Sequence, residues 1–450
     1  MKFGTNLAEG SVFKKYFTFI VPIILSGWLQ QLYNTADTMV VGTFVGDAAL
    51  AAVGSTSSLT NLILHLFLGL AIGTNVVCAR YYGANNWEGL NRAIHTSITL
   101  AVISGVFLAM VGLFCSRPFL KIMETPDDVI DLATLYMQVF FMGSPASMVY
   151  NFGSAVLRAA GDTKRPLYIL LGAGLVNVAL NLFCVLVLKL GVLGVAIGTV
   201  ASQLISAIVV VRILTHTDTE FKLQFSKLRI YRRELGKIAA TGIPSGLNGV
   251  MFSTSNVIIQ SAINSFGKLA MAGSVAATNV ENFGFLVLSA VEQGAVSFVG
   301  QNMGAKKPDR ITSVTKVAMI IGIASSLLFL FVMREAGPIM LGLFADDTSR
   351  EAVVRMGMIK LAFVACSYTL YVPSQVLNGV LKGMGRATVP TVINSVCICG
   401  LRLLWMFVAY PFNPTLEMVY TSYSISWGCS SIAMIIAYLI VKRKIFRREF

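Results

Sequence analysis

The sequence predicts an all-α polytopic membrane protein, with twelve transmembrane helices in two pseudo-symmetric six-helix lobes, on three observations. Hydrophobic residues make up 56% of the 450 and charged residues 12%, with a mean hydropathy of +0.74, whereas soluble chains carry about 25% charge. Twelve windows are apolar over the ~20 residues needed to cross a ~30 Å hydrocarbon core. Landmark residues recur between the two halves at a near-constant offset. Too little polar surface remains to cover soluble domains of this combined length, and the apolar excess excludes disorder and collagen. Seven cysteines in 450 residues are too few for a disulfide scaffold.

The windows run 17–42, 50–80, 93–115, 131–157, 167–188, 193–214, 238–263, 273–301, 313–333, 351–378, 391–409 and 419–441. The start, MKFGTNLAEGSVFKKYF, lacks the basic, apolar and small-residue order of a cleaved signal, so the first helix is expected to stay in the mature protein. Val21-Pro22 opens that helix, and the second ends at Gly83-Ala84. The fourth runs into VLRAAGDTKRP (156–166), the fifth carries GLVNVALNLF, and the sixth leads into a basic linker, 215–237. Ile243-Pro244 then opens the seventh helix, Gly304-Ala305 closes the eighth, and VLKGMGRATVP (380–390) comes after the tenth. The pairs stand 222, 221 and 224 residues apart in that order of helix opening, Gly-Ala loop and Pro-closed loop. An even number of helices per half keeps both halves in one orientation, so the repeat is parallel about an axis along the membrane normal. The expected lobes are residues 1–214 and 238–450, with 215–237 as a cytoplasmic linker. Ligand sites in such architectures lie at the repeat interface.

The net charge of +14 comes from 35 basic and 21 acidic residues. With the N-terminus inside, 26 of the 35 fall on inner segments or adjoining helix ends, among them Lys2, Lys14 and Lys15, seven from Arg212 to Lys237, and Lys442, Arg443, Lys444, Arg447 and Arg448. Outer segments hold Arg117, Lys121, Lys189, Lys268, Arg334 and Arg350. The positive-inside rule therefore puts both termini in the cytoplasm. Charge divided among separate inner segments gives no nucleic-acid surface.

Charges in hydrocarbon are costly and mark function or pairing. Three acids lie deep inside spans: Asp37, Glu281 and Glu292. Gln30, Asn34, Asp37 and Thr38 recur at three- and four-residue steps and form one polar stripe. Asp37 sits about 12 Å toward the outer side of the helix centre, at ~1.5 Å per residue, with no Lys or Arg elsewhere on the span. A lone acid there suits uptake and release of a coupling cation; the alternative is a protonated Asp bonded only for helix packing. Asn177 and Asn181, one turn apart, serve either to bond a neighbouring carboxyl or ligate a cation, or as interhelical glue. Glu281 and Glu292 share a face about three turns apart. Matching depths pair Glu281 with Arg402 as a structural ion pair, with Lys360 the rival partner and cation binding the other reading. Glu292 reads as a gate or packing residue. His65 is expected to be a hydrogen-bonded core residue. Cys397-x-Cys399 points its thiols apart on a helix, so no metal site is expected.

An intramembrane enzyme is the rival class, but HExxH, GxSxG, Walker A and GxGxxG patterns are all absent from the sequence, which favours a transporter over an enzyme.

The run QQLYNTADTMVVGTFVG with Asp37, the two Gly-Ala loops and the paired LRAAGDTKRP and LKGMGRATVP loops resemble the multidrug and toxic compound extrusion (MATE) family over nearly the whole chain. The resemblance implies a twelve-helix, two-lobe fold and efflux of organic, often cationic, compounds in exchange for H+ or Na+, with no cofactor. It implies a cation-coupling site at Asp37, Asn34, Asn177 and Asn181, in which Asn177 matches the Asn of the family's Asn-x-x-x-Asp pattern and Asn181 replaces its Asp. Acids that the sodium-coupled branch carries in helices seven and ten are missing from MFSTSNVIIQ and LAFVACSYTLYV. Gln30, Glu281 and Glu292 are left as candidates for a substrate or second cation site. The implied setting is a monomer in a bacterial or archaeal plasma (inner) membrane, with small organic substrates and membrane lipids as partners. A lipid-linked oligosaccharide flippase of related fold is the alternative. Its pyrophosphate cargo calls for a strongly cationic cavity, whereas Arg402 and Lys360 here face three acids.

Overall fold

The computed structural model describes residues 4–123, 125–344 and 350–449. Lys2 and the side chain of Arg448, two of the inner basic residues, lie outside the described part. The helices are α1 (Val12–Phe44), α2 (Asp47–Gly83), α3 (Trp87–Ile122), α4 (Asp127–Met142), α5 (Ser144–Ala159), α6 (Lys164–Leu182) and α7 (Val192–Thr215). After the linker come α8 (Arg232–Asn264), α9 (Lys268–Gly304), α10 (Pro308–Gly342), α11 (Arg350–Gly383), α12 (Thr388–Asn394), α13 (Leu401–Val408) and α14 (Leu416–Glu449). Each expected span has its helix. Among the described residues, ten helical stretches are long and apolar enough to cross a bilayer, and α4 with α5, bent by 45°, makes an eleventh. The bend falls at Gly143, where Pro145 in the first turn of α5 cannot donate a backbone hydrogen bond to the turn before it. The remaining expected span, the seventh, is α8, helical throughout but diluted by the Ser, Asn and Gly of GIPSGLNGVMFSTSN. The fifth and eleventh spans carry π-helical turns, Phe183–Val187 and Ser395–Gly400.

Contacts divide the chain into two units, Met1–Asn6 with Val21–Gly246, and Leu7–Ile20 with Leu247–Phe450. These boundaries differ from the expected lobes. They fall inside α1 and α8, beside Pro22 and Pro244, rather than in the linker. The first turns of α1 pack in the second unit: the Tyr16 hydroxyl donates to Val291 O at 2.5 Å and Phe19 meets Phe298 edge-on at 5.5 Å. The opening half of α8 packs in the first unit, where Gly69 and Gly73 of α2 lie against the backbone at Gly242 and Gly246. Lipid tails give helices no hydrophobic drive to associate, so close backbone approach at such small residues supplies the packing.

The linker also belongs to the first unit. Phe221 and Leu223 are buried in a core with Val77, Leu90 and Ile94. Gln224 N donates to His95 Nε2 at 3.0 Å, and Tyr231 N donates to Thr96 Oγ1 at 3.2 Å. A segment whose charges suggest a solvated connection is thus pinned by its backbone to buried side chains of α3.

Candidate functional site

In the first unit, Asp37 stands half-buried on α1 beside α6 and α7. The buried Asn181 side chain of α6 donates from Nδ2 to Asp37 Oδ1 at 2.5 Å and lies 3.5 Å from Asn177 Oδ1, one turn back. Asn177 Nδ2 in turn reaches Thr199 Oγ1 of α7 at 3.5 Å. Thr199 donates to Val195 O one turn back in its own helix, which leaves its oxygen lone pairs to receive Asn177. A carboxylate, two amides and a hydroxyl thus cluster across three helices, with the Thr199 hydroxyl also beside the Asp37 carboxyl.

Local sequence explains this approach. An i, i+4 step puts both Asn side chains on one face of α6. On α7 the facing residue is Gly198, where a Cβ would come within 1.9 Å of Asn181 Oδ1. Only glycine admits the Asn181 side chain at this depth. Among the described residues Asn181 Oδ1 has no hydrogen-bond partner, so the amide's donor end is spent on Asp37 and its acceptor end rests on the Gly198 backbone. Above the cluster, Val40, Val41, Val185, Val192 and Val195 form an apolar core. Among the described residues no cationic side chain pairs with Asp37, and no group of three or more His, Cys, Asp or Glu residues is arranged to hold a metal ion.

Gln30 and Asn34, predicted on the same stripe, have exposed side chains that do not enter this hydrogen-bond chain. The structure brings together Asp37, Asn177 and Asn181 and adds Thr199. Thr199 gives no separate signal in the sequence, since a Thr beside a small-residue helix seam is ordinary.

The second unit holds two further polar clusters. Glu281 pairs with Lys360, not Arg402: Lys360 Nζ lies 3.4 Å from Glu281 Oε2 and donates to Thr278 Oγ1 at 2.5 Å. Tyr368 OH adds a longer bond to Glu281 Oε1 at 3.4 Å. This geometry corrects the expected Glu281–Arg402 pair. Depth along two helices fixes height but not azimuth, and the π turn Ser395–Gly400 rotates the residues after it relative to an unbroken α-helix. Arg402 consequently faces α8 and α14, where Nε donates to Ser426 Oγ at 3.0 Å and Nη1 reaches Asn256 Oδ1 at 3.4 Å. Its guanidinium lies 4.1 Å from the Tyr423 ring centroid, a cation–π contact.

Glu292 is fully engaged with α11. It accepts from Gln375 Nε2 at 2.7 Å and Asn378 Nδ2 at 3.0 Å, and pairs with Lys382 Nζ at 2.8 Å. Lys382 is the basic residue of VLKGMGRATVP that recurs at the matching position of the first loop, so this motif ends a helix whose Lys382 charge is neutralised across the α9–α11 contact. His65 is exposed on α2 rather than in a core. The histidine with a structural role is His95, buried in α3 with Nδ1 against Asn91 O at 2.7 Å and Nε2 accepting from the linker. In the sequence it is one more residue of an apolar span.

A family model described as MatE matches residues 22–183 and 244–410. A Bacillus subtilis (strain 168) protein named "Probable multidrug resistance protein YoeA" is 28% identical over 457 residues, covering 95% of this chain and 97% of that one. A Shewanella oneidensis protein named "FAD transporter" is 25% identical over 320 residues, covering 70% of this chain and 68% of its own. The fold matches an outward-facing MATE family multidrug resistance transporter with a TM-score of 0.91 at 20% identity, covering 99% of each chain.

Proposed function

Because this chain belongs to the MatE family, we propose that it is a secondary active exporter of organic, chiefly cationic, compounds, driven by H+ exchange at Asp37, with Na+ as the second choice of coupling ion. The observation that carries the reading is the Asp37 carboxylate, set in a membrane span where, among the described residues, its hydrogen-bonding neighbours are neutral amides and a hydroxyl. Asn181 turns its NH2 toward Asp37, so the donor end occupies the position from which a second oxygen would coordinate a metal cation. A proton needs only one free carboxylate oxygen. This favours H+ over Na+.

Coupling follows when proton and substrate compete. Binding of one must disfavour binding of the other, because a ligand shifts an equilibrium only by its differential affinity. Protonating Asp37 removes the negative charge that attracts an organic cation and releases the substrate. The chain works as a monomer in the plasma membrane of a bacterium or archaeon, with both termini in the cytoplasm, as the basic residues support.

The test is efflux from proteoliposomes for a panel of organic cations, with pH and Na+ gradients imposed separately. A pH gradient alone is expected to drive efflux in the wild type, and Asp37→Asn to abolish it while the purified protein still folds. Wild-type flux in Asp37→Asn sinks the assignment.

A further inference from the structure

Two apolar grooves flank α7 in the first unit and meet at one polar basin. On one side, Tyr168, Gly172 and Val176 of α6 face Ile205, Val209 and Ile213 of α7 around a cavity of about 480 Å³. On the other, Ala146 and Val149 of α5 face Leu204, Ile208 and Val211 of α7 around a second cavity of about 480 Å³. The spacing on α7 explains the pair: 205, 209 and 213 line one side of the helix, and 204, 208 and 211 line the other. At the end of α7 both grooves open toward a basin of about 540 Å³ containing Arg165, Arg212, His216, Thr217, Asp218 and Thr219. Arg212 and His216 line the second groove as well as the basin, while Arg165, Val209 and Ile213 line the first groove as well as the basin.

We propose that this surface is a binding site for one diacyl glycerophospholipid, with an acyl chain in each groove beside α7 and the phosphate in the basin on Arg212 and Arg165. The proposal is independent of the transport reading. Arg165 and Arg212 stand at the same end of two spans, which is headgroup level, and basic pockets between transmembrane helices at that level take anionic headgroups. Arg212 is exposed and makes no ion pair among the described residues. Arg165 is already shared with Asp162 at 3.3 Å, and the Asp218 carboxylate lines the same basin. Two guanidiniums beside two carboxylates leave the basin without net charge, so a phosphate is held there by guanidinium hydrogen bonds rather than by surplus charge, which suits a singly charged phosphodiester and not a polyanionic head. Two grooves converging on one basin suit a two-chain lipid better than a single-chain amphiphile.

The wild-type full-length chain, delipidated in detergent, is titrated by native mass spectrometry with four probes. They are dioleoyl phosphatidylglycerol, its single-chain lyso form, dioleoylglycerol without phosphate, and glycerol 3-phosphate without chains. One phosphatidylglycerol is expected to bind, the lyso form more weakly, and the last two not at all. Arg212→Gln is expected to weaken binding about fivefold, the effect of losing one basic group near a lipid surface. Gly172→Leu fills the first groove, and a Cβ there meets nothing within 4 Å, so the side chain enters open space without displacing a neighbour. It is expected to reduce diacyl binding to the level of the lyso form. Equal binding of phosphatidylglycerol by wild type and both variants, or equal binding of dioleoylglycerol, overturns the proposal. If Gly172→Leu fails to fold, Arg212→Gln at the exposed helix end still decides.

Discussion

Asn181 hands its side-chain amide to Asp37 at 2.5 Å from 144 residues further along the chain, and it reaches that position only because residue 198 has no side chain. The carboxylate is thereby held by a neutral donor, and under the proposed function the choice of coupling ion turns on that amide.

Replacing that amide tests the dependence. Asn181→Asp sets two carboxyl groups side by side and removes the NH2 donor, creating a pair of oxygens that a metal cation can bridge. Efflux in proteoliposomes is expected to be stimulated by a Na+ gradient more strongly than in the wild type. A variant indifferent to Na+ would show that the amide does not decide ion choice.

Gly198→Ala inserts a methyl where only 1.9 Å separates the Cβ position from Asn181 Oδ1. Overpacking of this kind costs about 1–3 kcal/mol. A lowered thermal midpoint in detergent is expected together with reduced gradient-driven efflux, since the Asn181 side chain must leave Asp37 to make room. A Gly198→Ala protein with wild-type stability and flux would mean that the helices separate freely at this seam.

The Glu281–Lys360 pair is buried, with side-chain exposures of 14% and 5%. Removing one partner strands a charge and costs about 3–5 kcal/mol, whereas removing both together costs less than the sum. Glu281→Gln, Lys360→Met and their combination, followed by chemical or thermal unfolding, are expected to show this coupling. Glu281→Gln and Arg402→Gln are expected to couple more weakly than Glu281→Gln and Lys360→Met, since no ion pair or hydrogen bond joins Glu281 to Arg402 among the described residues. Stronger coupling of Glu281 to Arg402 than to Lys360 would reverse the pairing.

His95→Leu comes close to the histidine's volume but removes the acceptor for Gln224 N. A fully buried donor left unsatisfied costs about 1–3 kcal/mol, and the half-buried Gln224 N loses less than that. The expected outcome is faster proteolytic cleavage between residues 215 and 231, with transport through the Asp37 site retained. Unchanged protection of the linker would show that the buried Phe221 and Leu223 hold it without the histidine.

Helix number, the parallel repeat and the isolation of Asp37 were legible because each follows from hydropathy or period along the chain. The MatE membership agrees with the motifs read there: the acid of the first helix and the repeated Pro-closed loops. Partner choice was not legible in the same way. Glu281 and Arg402 sit at matching depth, yet a π turn before Arg402 turns it toward Asn256 and Ser426. Likewise the expected lobe boundary lay in the charged linker, while packing at Gly69 and Gly73 draws the opening half of α8 into the first unit, linker included.

By itself the sequence determined that this chain is a twelve-helix repeat protein with one conspicuous acid in its first span, because length and apolarity are properties of each segment taken alone. Tertiary structure decided what surrounds the charges: two Asn and one Thr for Asp37, Lys360 for Glu281, and an aromatic and hydroxyl setting for Arg402. The physical reason is azimuth. A helix's sequence fixes which residues share a face, but which neighbour that face meets depends on bends, π turns and glycine contacts supplied by other parts of the chain.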